Sequence, residues 1–131
     1  MISMLKITSH PKNVERIEPF IKGLVKKYHI NPDTYGNILI SLTEAVTNAI
    51  VHGNQADENK IVQVRLNEMK GGIIFQVTDE GKGFNHKAVP DPTKPENLMK
   101  CGGRGVFLMQ QLCDNVCFRN NGSTVEMQFK I

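Results

Sequence analysis

The segment from Ile38 to Val51 constrains the fold more than any other part of the chain, because it is apolar on nearly every side. Its apolar residues are Ile38, Leu39, Ile40, Leu42, Ala45, Val46, Ala49, Ile50 and Val51. A helix of this kind is usually buried on most sides, so other elements must surround it. We predict that the helix begins at Pro32 or Asp33 and runs to about His52. Gly53–Asn54 would then end it as a left-handed terminator.

One narrow stripe of this predicted helix is polar. Its members follow the spacing i, i+3, i+7, i+11 and i+14, and they are Ser41, Glu44, Asn48, His52 and Gln55. A solvent-exposed helix face normally carries lysine, arginine and several glutamates, whereas Glu44 is the only charged member here. The periodicity leaves two interpretations open, the exposed side of a core helix and the lining of a cavity.

The chemistry of two stripe residues favours the cavity. Glu44 and Asn48 lie one helical turn apart and can divide the work on one ligand. A carboxylate such as that of Glu44 can accept a proton from a nucleophile. The carbonyl of Asn48 is a hard oxygen ligand of the kind that suits Mg²⁺.

The remaining segments predict an α/β (α+β) two-layer sandwich, with helices on one face of a mostly antiparallel sheet. The predicted strands are Met4–Thr8, Ile61–Leu66, Ile73–Thr78, Asn115–Arg119 and Thr124–Ile131. A first helix, capped by Ser9 or Asn13, is predicted to run to about Tyr28, and another from Gly103 to Leu112. Glycines and prolines between Glu80 and Lys100 favour an active-site lid. The length of 131 residues fits one domain, 1–131.

Two glycine-rich blocks add weaker signals. Asp79-x-Gly81-x-Gly83 follows a predicted strand, where a carboxylate can accept a hydrogen bond from an exocyclic amine and glycines let the backbone approach a planar ring. Gly103-x-Gly105 opens a predicted helix, whose free N–H groups attract phosphate. Neither block is a Walker A loop, since no Gly-Lys-Ser/Thr follows, and the dinucleotide-binding spacing also fails.

Composition excludes several classes of protein. Apolar residues make up 40% and charged residues 22% of the chain, with a formal charge of +3. This mild charge, without a basic-aromatic pattern, argues against direct binding to nucleic acid. Three cysteines and scattered histidines favour reduced thiols over a disulfide framework or structural zinc. No apolar run is long enough to span a membrane or form a signal peptide, so we expect a cytoplasmic protein.

Taken together, the three blocks resemble the GHKL ATPase superfamily, which has the Bergerat ATP-binding fold. The blocks occur in this order: Glu44-x-x-x-Asn48-Ala49-x-x-His52-Gly53, Asp79-x-Gly81-x-Gly83, and Gly103-x-Gly105, with the predicted lid between the last two. Within that superfamily the chain looks like the anti-sigma factor serine/threonine kinases of the RsbW/SpoIIAB type. The resemblance covers nearly the whole chain.

The resemblance implies ATP and Mg²⁺ as cofactors and assigns a role to each matching residue. Glu44 would be the general base, Asn48 the Mg²⁺ ligand, and Asp79 the acceptor for the adenine amine. The rest of the implied cofactor-binding set consists of His52 and Gly53 at the pocket edge, Gly81 and Gly83 around adenine, Gly103, Arg104, Gly105 and Val106 near the phosphates, and Thr124 as a hydroxyl near adenine.

One position departs from the pattern. Some members carry an arginine before the glycine block that contacts the γ-phosphate, whereas this chain has Cys101 there. Lys100 or Arg104 could replace it in that contact.

The resemblance also implies partners. Members form homodimers, hold a sigma factor, and phosphorylate a serine of a STAS-type anti-anti-sigma protein. Two alternatives stay open, namely an ATP-gated binding module with little catalysis that regulates a different partner, and a detached histidine-kinase catalytic domain. The second is disfavoured because His10 and His29 lie in unsuitable contexts for a phosphorylatable histidine.

Overall fold

A computed structural model describes residues 3–81 and 109–131 of the chain. Five described strands form one sheet: β1 (Ser3–Thr8), β2 (Ile61–Met69), β3 (Gly72–Thr78), β4 (Asn115–Arg119) and β5 (Thr124–Lys130). Their order is β1-β2-β3-β5-β4, and every neighbouring pair is antiparallel. The predicted antiparallel sheet is therefore confirmed.

Helices cover one face of this sheet. They are α1 (Ile17–Tyr28), α2 (Pro32–Asn48) and a π-helical segment (Ala49–Gly53) that continues α2, while residues 109–112 are also helical. Their apolar sides pack with one side of each central strand in a single hydrophobic core. The α/β two-layer architecture predicted from the sequence is confirmed.

The two-residue alternation of the strands sets which face meets the helices. In β2, Val62, Val64 and Leu66 are fully buried, and the residues between them are more exposed. β2 and β3 form the predicted hairpin, in which Gly71 adopts a φ of 74°. Such a left-handed turn residue favours glycine, because glycine has no Cβ to clash with the backbone.

The predicted caps of the first helix are wrong. A 3-10 helical turn (Pro11–Arg16) precedes α1. The N-cap of this turn is His10, whose side chain accepts from the Lys12 backbone N–H at 3.1 Å. Asn13 instead donates to the carbonyl oxygen of Thr8 at 2.9 Å. Ser9 is fully buried, and its hydroxyl donates to the carbonyl of Lys60, just before β2, so it does not cap the helix.

The predicted start of α2 is confirmed at Pro32, whose missing N–H costs nothing in the first helical turn. The helix ends at Gly53, close to its predicted end at about His52, but its last part is π-helical, and the predicted left-handed terminator at Gly53–Asn54 is wrong. The α-helix stops at Asn48, and Asn54 donates its backbone N–H to the Ala49 carbonyl five residues earlier, at 2.8 Å. Asn54 has a φ of −93°, and the left-handed conformation occurs later, at Gln55 and Ala56.

Residues 82–108, which hold most of the predicted lid and the first part of the predicted helix from Gly103, lie outside the described residues. Across residues 3–81 and 109–131, no helix combines the length and the apolarity needed to cross a membrane.

Candidate functional site

The structure divides the polar stripe of α2 into parts with different surroundings. Ser41 is fully buried, Glu44 and Asn48 are half-buried, and His52 and Gln55 are exposed. The stripe is therefore neither a uniformly solvated face nor a uniformly buried lining. Its half-buried middle keeps the carboxylate and the amide one turn apart, as predicted.

Ser41 belongs to the core rather than to an open cavity. Its hydroxyl makes no hydrogen bond of ordinary geometry with another described residue, and it lies beside the Cys113 thiol. Burial raises the pKa of the Cys113 thiol to about 11, and the nearby Ser41 hydroxyl offsets part of that rise. This thiol stays protonated at neutral pH, which makes it a poor nucleophile.

Asp79, directly after β3, is held tightly by backbone groups. Its N–H donates to the Ser123 carbonyl at 2.9 Å, and its Oδ1 accepts from the Gly81 N–H at 2.8 Å. Burial raises the pKa of the Asp79 carboxyl above its ordinary value. The Gly81 N–H and the charge of Lys60 oppose that rise.

The Asp79 carboxylate lies directly against the end of the π-helical segment. A Cβ on Gly53 would collide with both carboxylate oxygens of Asp79, and a Cβ on Gly81 would collide with the Gly53 carbonyl. Both positions therefore require glycine for close approach. We call Gly53, Asp79 and Gly81 the Asp79 junction. Two predicted blocks, the end of the stripe helix and the first glycine block, meet at this junction.

Asn54, which the sequence predicts only as a helix terminator, connects the helix end to the segment that follows Asp79. Asn54 is fully buried, and its Oδ1 accepts from the Glu80 N–H at 2.7 Å, next to Asp79. Its Nδ2 donates to the Ser9 hydroxyl at 2.8 Å and to the Ile61 carbonyl at 3.2 Å. No periodicity signals such a residue, because its partners are distant in the sequence.

The structure does not bring the Thr124 hydroxyl to the junction side of the sheet. Thr124 pairs with Thr78, and the two hydroxyl oxygens lie 3.3 Å apart. Their neighbours Val77 and Val125 face the helices, so the threonine side chains point to the opposite face. Asp79 lies against Gly53 on the helix side.

The other predicted residues divide between the described and undescribed parts. His52 is exposed and lies next to Gly53, which packs directly against the Asp79 carboxylate. Their role at a pocket edge stays a prediction. Gly83, Gly103, Arg104, Gly105 and Val106 lie outside the described residues, together with Lys100 and Cys101.

The described residues fit a nucleotide and a hard metal ion. At the Asp79 junction, one carboxylate oxygen accepts from Gly81, which leaves acceptor capacity for an exocyclic amine. The half-buried Glu44 and Asn48 offer a carboxylate and an amide oxygen, which are Mg²⁺-type donors. The π-helical segment joins these two groups, since it follows Asn48 and ends at Gly53. π-Helical turns inside α-helices occur frequently at functional sites.

Comparison with known proteins agrees with the resemblance to ATP-binding domains seen in the sequence. The sequence profile of the histidine kinase-like ATPase domain matches residues 7–129, from β1 to β5. The serine-protein kinase RsbW of Bacillus licheniformis is 30% identical over 131 residues, which cover 94% of this chain and 81% of that protein. RsbW of Bacillus subtilis is 28% identical over 130 residues, with the same two coverages. RsbW of Staphylococcus aureus (strain Newman) is 24% identical, covering 94% and 82%.

Proposed function

The chain belongs to the histidine kinase-like ATPase domain family, and we propose that it binds ATP and transfers the γ-phosphate to a serine or threonine of a partner protein. The Asp79 junction is the observation that carries the proposal. There, the half-buried carboxylate of Asp79 lies against a glycine at the end of the helix that bears Glu44 and Asn48.

Adenine recognition is assigned to Asp79. A carboxylate held at the end of a strand can accept a hydrogen bond from the 6-amino group of adenine, whereas guanine presents a carbonyl oxygen at that position. Its partial burial strengthens this discrimination, because leaving a partly desolvated carboxylate without a hydrogen-bond donor costs more free energy than leaving an exposed one unpaired. Gly53 and Gly81 keep side chains out of the space beside the carboxylate.

Phosphate transfer is assigned to the middle of the stripe. Asn48 would hold Mg²⁺, which neutralises charge on the polyphosphate when bound. Glu44 accepts the proton of the incoming hydroxyl, and its half-buried position one turn from Asn48 keeps it near the metal-binding amide. Gly103, Arg104, Gly105 and Val106 are proposed to contact the phosphates at the start of their helix.

The partners are proposed from the similarity to serine-protein kinases RsbW. We propose that a homodimer of this chain holds a sigma factor and phosphorylates a STAS-domain anti-anti-sigma protein. Incubating the protein with a lysate of its host, with and without ATP, and identifying the captured chains by mass spectrometry tests this assignment. Capture of neither class of protein would contradict it.

The catalytic assignment is tested with Glu44→Gln. Glutamine keeps the size and polarity of the side chain but cannot accept the proton, so transfer should fall by roughly 10²–10⁴-fold while ATP affinity is retained. The measurement is label from γ-³²P-ATP on the partner, beside ATP affinity by calorimetry. Glu18→Gln, on the exposed side of α1, is the matched control and should transfer at the normal rate. Full transfer by Glu44→Gln would overturn the role of Glu44. ATP binding without transfer in the unmutated protein would instead identify an ATP-gated binding module.

A further inference from the structure

Asn54 lies where four segments of the chain converge. It follows the π-helical segment directly, and its side chain bonds to the residue after β1, the first residue of β2 and the residue after Asp79. The Ser9 hydroxyl extends the network by donating to the Lys60 carbonyl at 2.8 Å. Asn54 and Ser9 are both fully buried.

All the hydrogen-bonding groups of the Asn54 amide are used. Its two N–H groups have two acceptors, Ser9 Oγ and the Ile61 carbonyl, and its oxygen has the Glu80 N–H. A buried network whose members are all satisfied is rigid and holds one arrangement. The side chain of Glu80 adds a second connection from the same segment, by accepting from the Ile61 N–H.

This network fixes the backbone on one side of Asp79, and the sheet fixes it on the other. The Asp79 N–H is bound by the Ser123 carbonyl, and the next N–H, that of Glu80, is bound by Asn54. The same Asn54 adjoins Gly53, against which the carboxylate lies. One side chain therefore sets the distance between the two sides of the Asp79 junction.

We propose that Asn54 is a positioning residue for adenine specificity, which acts by holding Glu80 and Gly53 so that the Asp79 carboxylate stays closed against the π-helical segment. This inference rests on the proposed ATP site, but it adds a residue outside the three blocks that suggested the site. Asn54 touches no ligand in this scheme and acts through Asp79.

The test replaces Asn54 with alanine in the full chain. Loss of the amide frees the Glu80 N–H and lets more water reach the half-buried Asp79 carboxylate, so the preference for ATP over GTP should fall about three- to tenfold. The preference is the ratio of the two dissociation constants by calorimetry. Loss of stability alone would not change this ratio in the folded fraction.

A second readout needs no nucleotide. The pKa of the Asp79 carboxyl, measured by carbon NMR, should move down toward its ordinary value in Asn54→Ala, because burial is the main cause of its rise. Ser9→Ala removes one of the three bonds made by the Asn54 side chain and should shift both readouts in the same direction, but less. If Asn54→Ala does not fold, Ser9→Ala replaces it in both measurements.

Asn31→Ala is the matched control. Asn31 also accepts a backbone N–H through Oδ1, that of Thr34 at 2.8 Å, but at the opposite end of α2. It should lower the melting temperature and leave both the nucleotide preference and the Asp79 pKa unchanged.

The outcomes separate the two levels of the proposal. If Asp79→Asn keeps the full preference for ATP, the proposed adenine site is wrong, and the specificity role of Asn54 falls with it. If Asp79→Asn loses the preference while Asn54→Ala and Ser9→Ala keep both it and the Asp79 pKa, the adenine site stands and the positioning role of Asn54 is overturned.

Discussion

α2 and the π-helical segment form one continuous helix, and its two ends are held by asparagines that work in different ways. Asn31 accepts the N–H of a residue three positions later and so completes its own helix. Asn54 bonds to residues that lie seven, 26 and 45 positions away in the chain. The first end is a local structure, whereas the second exists only when β1, β2 and β3 have come together.

The difference extends to backbone geometry. The N-terminal end starts with proline at the first helical position and keeps regular α-helical bonding. The C-terminal end passes through a π-helical segment to a glycine that contacts Asp79. Irregular bonding at one end of an otherwise regular helix indicates that tertiary contacts determine that end.

The largest expected effect compares two glycines mutated to alanine. A Cβ on Gly81 would collide with the backbone carbonyl of Gly53, which cannot move without displacing the π-helical segment. We expect Gly81→Ala to destabilise the protein by about 1–3 kcal/mol, as overpacking usually does. ATP affinity should fall with it, because the Asp79 junction opens. Denaturant unfolding and calorimetry provide the two measurements.

Gly36, in the first half of α2, is the matched control. A Cβ there would meet nothing within 4 Å. Gly36→Ala should stabilise the protein by about 0.4–1 kcal/mol, because alanine loses less conformational freedom on folding. A destabilising effect of similar size at both glycines would remove the distinction between the two ends of α2.

The next effect concerns the cap itself. Asn31→Ala should lower the free energy of unfolding by about 1 kcal/mol, the usual cost of losing an N-cap side chain. ATP affinity, measured on the folded protein, should not change, because the bond lost is within the first turn of α2. A parallel loss of ATP affinity would show that the two ends are coupled.

Sequence patterns anticipated the local features and not the distant ones. Proline, strand alternation and hairpin glycines act within a few residues, so the start of α2, β2 and β3 were predicted. The π-helical segment and the Asn54 network depend on contacts between segments far apart in the chain, and no spacing rule encodes them. The face of the sheet on which Thr124 lies was also not predicted, since a shift of one residue in a strand moves a side chain to the other face. The proposed role of Thr124 near adenine stays a prediction.

The smallest effect concerns pH and separates function from stability at the Asp79 junction. Burial raises the pKa of Asp79 above its unfolded value, so the folded protein binds more protons between the two pKa values. Stability associated with this group is therefore greatest below the unfolded pKa and declines as the pH rises through the folded pKa.

Asp79→Asn removes that decline. Its unfolding free energy relative to the unmutated protein should increase from about pH 3 to pH 7, on either side of the ordinary aspartate pKa near 3.9. Denaturant melts at several pH values measure it. If the unfolding free energy of Asp79→Asn relative to the unmutated protein decreases over this range, the hydrogen bond from Gly81 and the charge of Lys60 outweigh burial. The folded protein would then favour the charged form of the Asp79 carboxyl instead of the neutral form.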